Sequence, residues 1–153
     1  MRALRLKVPP VAQFVIVATA MGLLATLFPS AAFSFPGQLL AASVVLLAGG
    51  LVGLAAVRAF VQVGTTANPL RPEQAARLVR GGIYDRTRNP MYLALLLALV
   101  AWGLWLGNAV ALVPVPLFVL ALNRLQIEPE ERALEARFGA EFVAYKRKVR
   151  RWL

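Results

Sequence analysis

The sequence predicts an all-α integral membrane protein, a four-helix bundle followed by a cytoplasmic amphipathic helical segment at the C-terminus. Hydrophobic residues make up 59% of the 153 residues, and the mean hydropathy is +0.67. Both values are too high for an ordinary soluble domain. The apolar residues also form three charge-free blocks, at 11–28, 39–57 and 91–122. A bilayer core about 30 Å thick needs roughly 20 helical residues, so each block is long enough to cross it.

The three blocks divide into four predicted spans within a single domain. The third block is too long for one crossing, and it is broken at Gly107-Asn108. The predicted spans cover about residues 11–28, 39–60, 91–106 and 109–123, with a polar loop at 63–90 and a tail at 127–153. Pro114 and Pro116 remove backbone donors from the fourth span, so we expect a kink there.

Basic residues alternate with the predicted spans. Lys and Arg number 17 against 7 Asp and Glu, and they concentrate at 2–7, 71–88 and 132–151. The connections at 29–38 and 107–108 carry no charge. The positive-inside rule then places both termini and the central loop in the cytoplasm, as for a bacterial inner-membrane protein. This explains the net charge of +10 without nucleic acid, and it favours a retained first span over a cleaved signal peptide.

The chain lacks cysteine and histidine. Disulfides and thiolate chemistry are therefore excluded. The commonest general base and metal ligand is also missing, so no metal site is expected.

Small residues in the second span predict close helix packing. Gly49 and Gly53 are four residues apart, which serves packing within the chain or a contact between two copies. Arg58 follows near the predicted cytoplasmic end, where it either snorkels to the headgroups or belongs to a site. In the loop, we expect a short helix from Glu73 to about Arg80 that ends at Gly81-Gly82.

The tail is a basic amphipathic segment. Its apolar positions recur at helical spacing, and the stripe consists of Ile127, Leu134, Phe138, Phe142, Tyr145, Val149 and Trp152. Gly139 should divide it into two helices. The segment either lies on the membrane surface or folds back over the bundle as a lid.

Two polar stretches bracket the last apolar block and offer groups for chemistry. Asn89 followed by Pro90 is a favourable helix start, and the positive end of that helix suits an anion. Near the next helix start, the carboxylates of Glu128, Glu130 and Glu131 can stabilise that helix, or they can accept hydrogen bonds from a ribose diol or an ammonium group. Tyr84 and Tyr92 can stack on a base or a sulfonium, or they can belong to an interfacial aromatic belt.

These stretches resemble the isoprenylcysteine carboxyl methyltransferase and phospholipid methyltransferase superfamily, small membrane enzymes that use S-adenosylmethionine. The resemblance covers roughly residues 60–153. It rests on R-N-P-M-Y at 88–92, P-E-E-R-x-L at 129–134, F-G at 138–139 and Y-K-R-K-V at 145–149, with weaker upstream elements at 64–69 and 82–84. It implies a cofactor-binding set of Tyr84, Arg88, Asn89, Pro90, Tyr92, Glu130 and Glu131, with Arg88 and Glu131 also assigned to catalysis.

The chain departs from the family pattern at two positions. Asn89 stands where histidine is common, so this residue should bind rather than act as a base. Ala94 stands where glycine is common, which adds a methyl group near the expected cofactor. Without histidine, Glu131, a tyrosine or water would accept any proton that the acceptor loses.

The resemblance therefore implies S-adenosylmethionine-dependent methyl transfer to a hydrophobic or lipid-linked acceptor at the cytoplasmic membrane interface. The methylated group can be a carboxylate, an amine or a hydroxyl, and the oligomeric state is open. One alternative is a non-catalytic scaffold that binds anionic lipid or a protein partner. Another is a small four-span exporter of cationic drugs, which generally needs an acid within the membrane; the three charge-free blocks contain none.

Overall fold

Six α-helices form the described part of the protein. The structure is a computed structural model that describes residues 8–64 and 77–153. The helices are α1 (Pro10–Leu27), α2 (Gln38–Val63), α3 (Pro90–Leu106), α4 (Pro114–Ala121), α5 (Glu128–Phe138) and α6 (Ala140–Lys148), with 3₁₀ turns at Pro29–Ala31, Gly82–Asp85 and Val110–Leu112. The predictions for residues 1–7 and 65–76 lie outside the described residues.

The all-helical, membrane-type architecture is confirmed. Three helical runs are long and apolar enough to cross a membrane, namely Pro10–Leu27, Gln38–Val63 and Val110–Phe138, and Pro90–Leu106 is a shorter apolar helix. Across 8–64 and 77–153 the only strand-like pairing is an isolated bridge between Ala32 and Asn108. Large apolar side chains on the outside, such as Leu47 and Val61, are about 70% exposed, as expected for helices that face lipid.

The core forms where α1, α3 and α4 meet. Met21 of α1, Leu99 of α3 and Phe118 of α4 are almost completely buried in one apolar cluster. Leu122 and Ile127 extend this cluster toward α5. The predicted first, third and fourth spans thus form the core of the bundle, and α2 packs against α3.

The small residues of α2 are used within the chain. A Cβ atom at Gly49 would lie 3.0 Å from the Cβ of Leu97, and one at Gly53 would lie 3.3 Å from the Cβ of Ala94. The two glycines therefore let α2 and α3 approach closely, as small residues do in membrane helices. The extra methyl group of Ala94 faces Gly53, in the helix contact.

The fourth apolar run differs from the sequence prediction. Pro114 begins α4 directly after the 3₁₀ turn at Val110–Leu112, and Pro116 lies in the first turn of α4, where no helical donor is needed. The irregular part is further along, at Leu122–Ile127, which forms π-helix. Such wide turns are often found at functional sites. The predicted break before this run is confirmed, since α3 ends at Leu106 and Gly107 has a φ of +59°.

At the other end of the bundle, α2 ends, α3 begins, and α5 and α6 follow the last apolar run; we call this the charged end. Residues 77–80 are not helical, so the helix predicted to reach Arg80 does not extend into the described residues. Gly81 and Gly82 have φ values of +92° and +59° and lead into a 3₁₀ turn. The division of the tail at Gly139 is confirmed, with α5 before it and α6 after it.

Candidate functional site

The tail folds onto the charged end of the bundle. Phe142, Tyr145 and Val149 of the predicted apolar stripe are buried together, against Leu78 and other partly buried neighbours. The hydroxyl of Tyr145 donates a hydrogen bond of 2.7 Å to the backbone carbonyl of Tyr84. Burial raises the pKa of Tyr145 to about 12, so the hydroxyl stays a donor at neutral pH. The stripe is therefore used for packing on the chain itself.

An ionic cluster of Arg88, Glu131 and Arg151 joins the start of α3 to the tail. The Arg88 guanidinium donates to Glu131 Oε1 at 2.7 Å, and Arg151 donates to Oε1 at 3.2 Å and to Oε2 at 2.8 Å. The Arg88 and Glu131 side chains are each 12% exposed, and that of Arg151 is 32% exposed. One carboxylate thus links the start of α3, the first turn of α5 and the C-terminal residues.

Arg88 also holds the end of α6. Its Nη1 donates to the backbone carbonyls of Lys146 at 3.0 Å and Val149 at 2.7 Å. A cation at a helix C-terminus is favourable, because the last carbonyls lack partners and carry the negative end of the helix dipole. The Nε atom of this side chain is buried and has no hydrogen-bond partner among the described residues. Arg88 is therefore largely engaged, and its Nε–H is unused within the described part of the chain.

Asn89 begins α3 as predicted, but its side chain does not cap the helix. The amide Nδ2 donates instead to the backbone carbonyl of Arg151 at 2.9 Å. The hydroxyl of Thr87 donates to the same carbonyl at 3.1 Å and accepts from the backbone N–H of Asn89 at 3.2 Å. Pro90 is buried at the first helical position. The R-N-P segment is thus bonded to the C-terminal residues.

Glu130 lies in a different environment from Glu131, because neighbouring residues on a helix point about 100° apart. Its Oε2 accepts a hydrogen bond of 2.9 Å from the hydroxyl of Tyr92. Burial raises the pKa of Tyr84, and the negative charge of Glu130 nearby adds to the rise. The structure therefore gathers Tyr84, Tyr92 and Glu130 on one side of α5.

Glu130 also differs from the other glutamates of the described residues in having no cationic partner there. Within the described ranges, no Lys or Arg side chain forms an ion pair with it, although Glu128, Glu135 and Glu141 each form one ion pair and Glu131 forms two. In a chain with a net charge of +10, an unpaired acid beside two tyrosines is unusual. Such a group can hold a cation or accept a proton.

All seven sequence-predicted site residues lie at the charged end, in two adjoining groups. The first group surrounds the ionic cluster and contains Arg88, Asn89, Pro90 and Glu131, and the second contains Tyr84, Tyr92 and Glu130. The sequence did not single out Thr87, and it did not indicate that Arg151 pairs with Glu131. Arg151 is one of seven basic residues in the tail, and nothing in the sequence separates it from the others.

Arg58 belongs to neither group. It lines a cavity of about 520 Å³ between α2 and residues 80–83, together with Leu51, Leu54 and Arg80 among others. Arg80 forms an ion pair with Glu141 of α6, so α6 also braces this side.

The fold and the site define a small membrane protein. Its apolar helices are long enough to cross a membrane, and its polar site lies at the charged end, where the R-N-P segment meets the paired acids of α5. The chain belongs to the phospholipid methyltransferase family, whose model matches residues 38–141. The match includes α2 through α5 and ends as α6 begins. Membership indicates an enzyme that transfers methyl groups to a lipid-like substrate, and it confirms the superfamily resemblance.

An uncharacterised protein of Haemophilus influenzae is 57% identical over 63 residues, which are 41% of this chain and the whole of that protein. No solved structure matches the chain.

Proposed function

We propose that the protein uses S-adenosylmethionine to methylate a hydrophobic or lipid-linked acceptor at the cytoplasmic face of a membrane. The observation that carries this proposal is the arrangement at the charged end. Among the described residues, a buried arginine whose Nε–H has no acceptor and an acid without a cationic partner lie at positions that the family resemblance assigns to the cofactor. A non-catalytic scaffold would have no need of either feature.

The residues fit a zwitterionic sulfonium cofactor. The unused Nε–H of Arg88 suits the cofactor's carboxylate, since hydrogen bonds to ionised groups are strong. Glu130 suits its ammonium or sulfonium charge. The rings of Tyr84 and Tyr92 suit a cation or a flat base, because aromatic faces attract cations. The cofactor would supply a methyl group that is already activated by the positive sulfur.

The protein's own work is to align the acceptor, exclude water and remove a proton where one is lost. The sequence assigned proton acceptance to Glu131, a tyrosine or water. The geometry supports Glu130 better, because two guanidinium groups hold Glu131, whereas no guanidinium of the described residues pairs with Glu130. An amine or hydroxyl acceptor would give its proton to Glu130, with Tyr92 fixing the orientation of the carboxylate. A carboxylate acceptor would need no base.

The membrane arrangement follows from the apolar helices. With four crossings, by α1, α2, α3 and the run that begins at Val110, the charged end lies in the cytoplasm by the positive-inside rule. A water-soluble cofactor would reach this end from the cytoplasm. A lipidic acceptor would reach the same end by lateral diffusion in the inner leaflet.

A labelling experiment tests this proposal. Purified protein is incubated with methyl-tritiated S-adenosylmethionine and a membrane lipid extract, and the lipid-soluble label is separated and identified. We expect label in a lipid fraction with wild type and a loss of about 100-fold or more in Glu130→Gln, in the range of a lost acid–base group. Glu128→Gln is the matched control, since Glu128 lies in the same turn, pairs with Arg124 at 3.9 Å and is not among the seven predicted site residues. It should keep wild-type activity.

The outcome also separates the alternatives. Absence of lipid-soluble label with wild type, together with absence of cofactor binding, would overturn the proposal and leave the scaffold. Equal losses in Glu130→Gln and Glu128→Gln would contradict the assignment of Glu130.

A further inference from the structure

The last five residues, Val149–Leu153, form a strap across the start of α3. They follow α6 without helical structure. The backbone carbonyl of Arg150 accepts from the N–H of Arg88 at 2.9 Å, and the carbonyl of Arg151 accepts from Thr87 and Asn89. The strap lies beyond residues 38–141, the part of the chain that the family model matches.

Residues before and after these backbone contacts hold the strap in place. Before them, Val149 is buried with Phe142 and Tyr145 of α6. After them, Trp152 packs against the main apolar cluster, and its indole N–H donates to Asn123 Oδ1 at 3.3 Å. Asn123 lies in the π-helical turn. Arg151 is thus held between two anchored residues, with its side chain directed at Glu131.

We propose that Arg151 is a positioning residue for the cofactor site, acting through Glu131 on Arg88; this inference rests on the proposed function. Glu131 Oε2 accepts a hydrogen bond from Arg151, and Oε1 is shared between Arg88 and Arg151. With both oxygens engaged, the carboxylate has one orientation. That orientation fixes the Arg88 guanidinium, and with it the direction of the unused Nε–H.

The chemistry of Arg151 suits this role better than attachment to the membrane. A guanidinium fork matches a carboxylate with two parallel bonds, which a lysine ammonium cannot reproduce. A residue that only attracted anionic headgroups would need no such partner, and any basic residue of the tail would serve. Arg147 is such a residue, because it is exposed in the last turn of α6 and forms no ion pair with the described acids.

The experiment compares Arg151→Gln, Arg151→Lys and Arg147→Gln with wild type. The dissociation constant of S-adenosylmethionine is measured by calorimetry in detergent, and amide hydrogen exchange is followed over residues 86–93. We expect roughly 10- to 100-fold weaker binding in Arg151→Gln, the range for losing charge-assisted hydrogen bonds. Arg151→Lys should fall between Arg151→Gln and wild type, and Arg147→Gln should match wild type. Faster exchange over residues 86–93 is expected in Arg151→Gln alone.

A double-mutant cycle tests whether Arg151 acts through Glu131. In a Glu131→Gln background, changing Arg151 to Gln should have little further effect on binding, because the shared contact is already lost. If Arg151→Gln does not fold, Arg151→Lys and Trp152→Phe serve in its place, and each should weaken binding at least several-fold.

The results separate this inference from the proposed function. Wild-type protein that binds no S-adenosylmethionine would overturn both. If wild type binds the cofactor and folded Arg151→Gln binds it with the same dissociation constant, the role of Arg151 is overturned. The same holds if Arg147→Gln weakens binding as much as Arg151→Gln does. Either result leaves the methyltransferase proposal standing.

Discussion

Replacing Glu131 by glutamine should destabilise the folded protein more than any other single-charge change at the charged end. The carboxylate accepts three charge-assisted hydrogen bonds from two guanidinium groups, at 2.7, 2.8 and 3.2 Å. Glutamine has nearly the same size, so packing is kept. Its amide, however, presents one oxygen and one NH₂ group to two donors.

The size of the loss follows from the exposure of the three side chains. Removing one partner of a buried ion pair costs about 3–5 kcal/mol, because the other charge stays buried without compensation. Glu131 and Arg88 are in that class at 12% exposure, whereas Arg151, at 32%, can regain part of its hydration. Glutamine also keeps one acceptor oxygen. We therefore expect a loss of about 2–3 kcal/mol, roughly a 30- to 150-fold shift in the unfolding equilibrium.

The assay is equilibrium unfolding in mixed detergent micelles with increasing dodecyl sulfate, followed by the fluorescence of the three tryptophans. Glu128→Gln is the control, since its ion pair with Arg124 is long and partly exposed and should contribute less than about 1 kcal/mol. A loss below about 0.5 kcal/mol in Glu131→Gln would refute the reasoning. So would equal losses in the two variants.

Three further predictions concern packing and pH. Gly49→Leu should cost about 1–3 kcal/mol in the same unfolding assay, because even a Cβ there lies 3.0 Å from the Cβ of Leu97; a stable variant would show that α2 and α3 are not in close contact. Tyr145→Phe should cost about 1–2 kcal/mol by leaving the carbonyl of Tyr84 without its donor, and an unchanged midpoint would contradict that bond. Since burial raises the pKa of Tyr145 to about 12 from an ordinary value near 10, its contribution should be complete below pH 10 and should be lost as the pH rises toward 12. An alkaline titration should show a smaller decline in Tyr145→Phe than in wild type, and identical curves would exclude this titration.

The helices were largely predictable because lipid leaves a backbone few options. Peptide groups in an apolar core must bond within their own segment, so charge-free blocks of sufficient length become helices. The break at Gly107 was predictable as well, because glycine adopts a positive φ more readily than other residues do. The division at Gly139 followed from the same reasoning.

The prolines show where local signals are ambiguous. A proline inside a helix disturbs it, but a proline in the first turn favours it. Whether Pro114 and Pro116 kink a helix or start one depends on where that helix begins, and the apolar run gives no sign of this. The π-helical turn at Leu122–Ile127 has no sequence signal that we can identify.

The sequence suggested members for the candidate site but not the contacts between them. The resemblance selected residues on both sides of the last apolar block, and the fold gathers them at one end. The contacts of the strap join groups about 60 residues apart, and several use backbone carbonyls, which every residue carries. Side-chain identity therefore could not single out Arg151. It also could not show that Glu130 and Glu131, adjacent in sequence, face different partners.

Direct titration of purified wild-type protein with S-adenosylmethionine in detergent tests the central claim, that the charged end holds a methyl donor. The account predicts saturable binding of one cofactor per chain, at least tenfold weaker in Glu130→Gln and unchanged in Glu128→Gln. Wild-type protein that is folded and shows no saturable binding would contradict it.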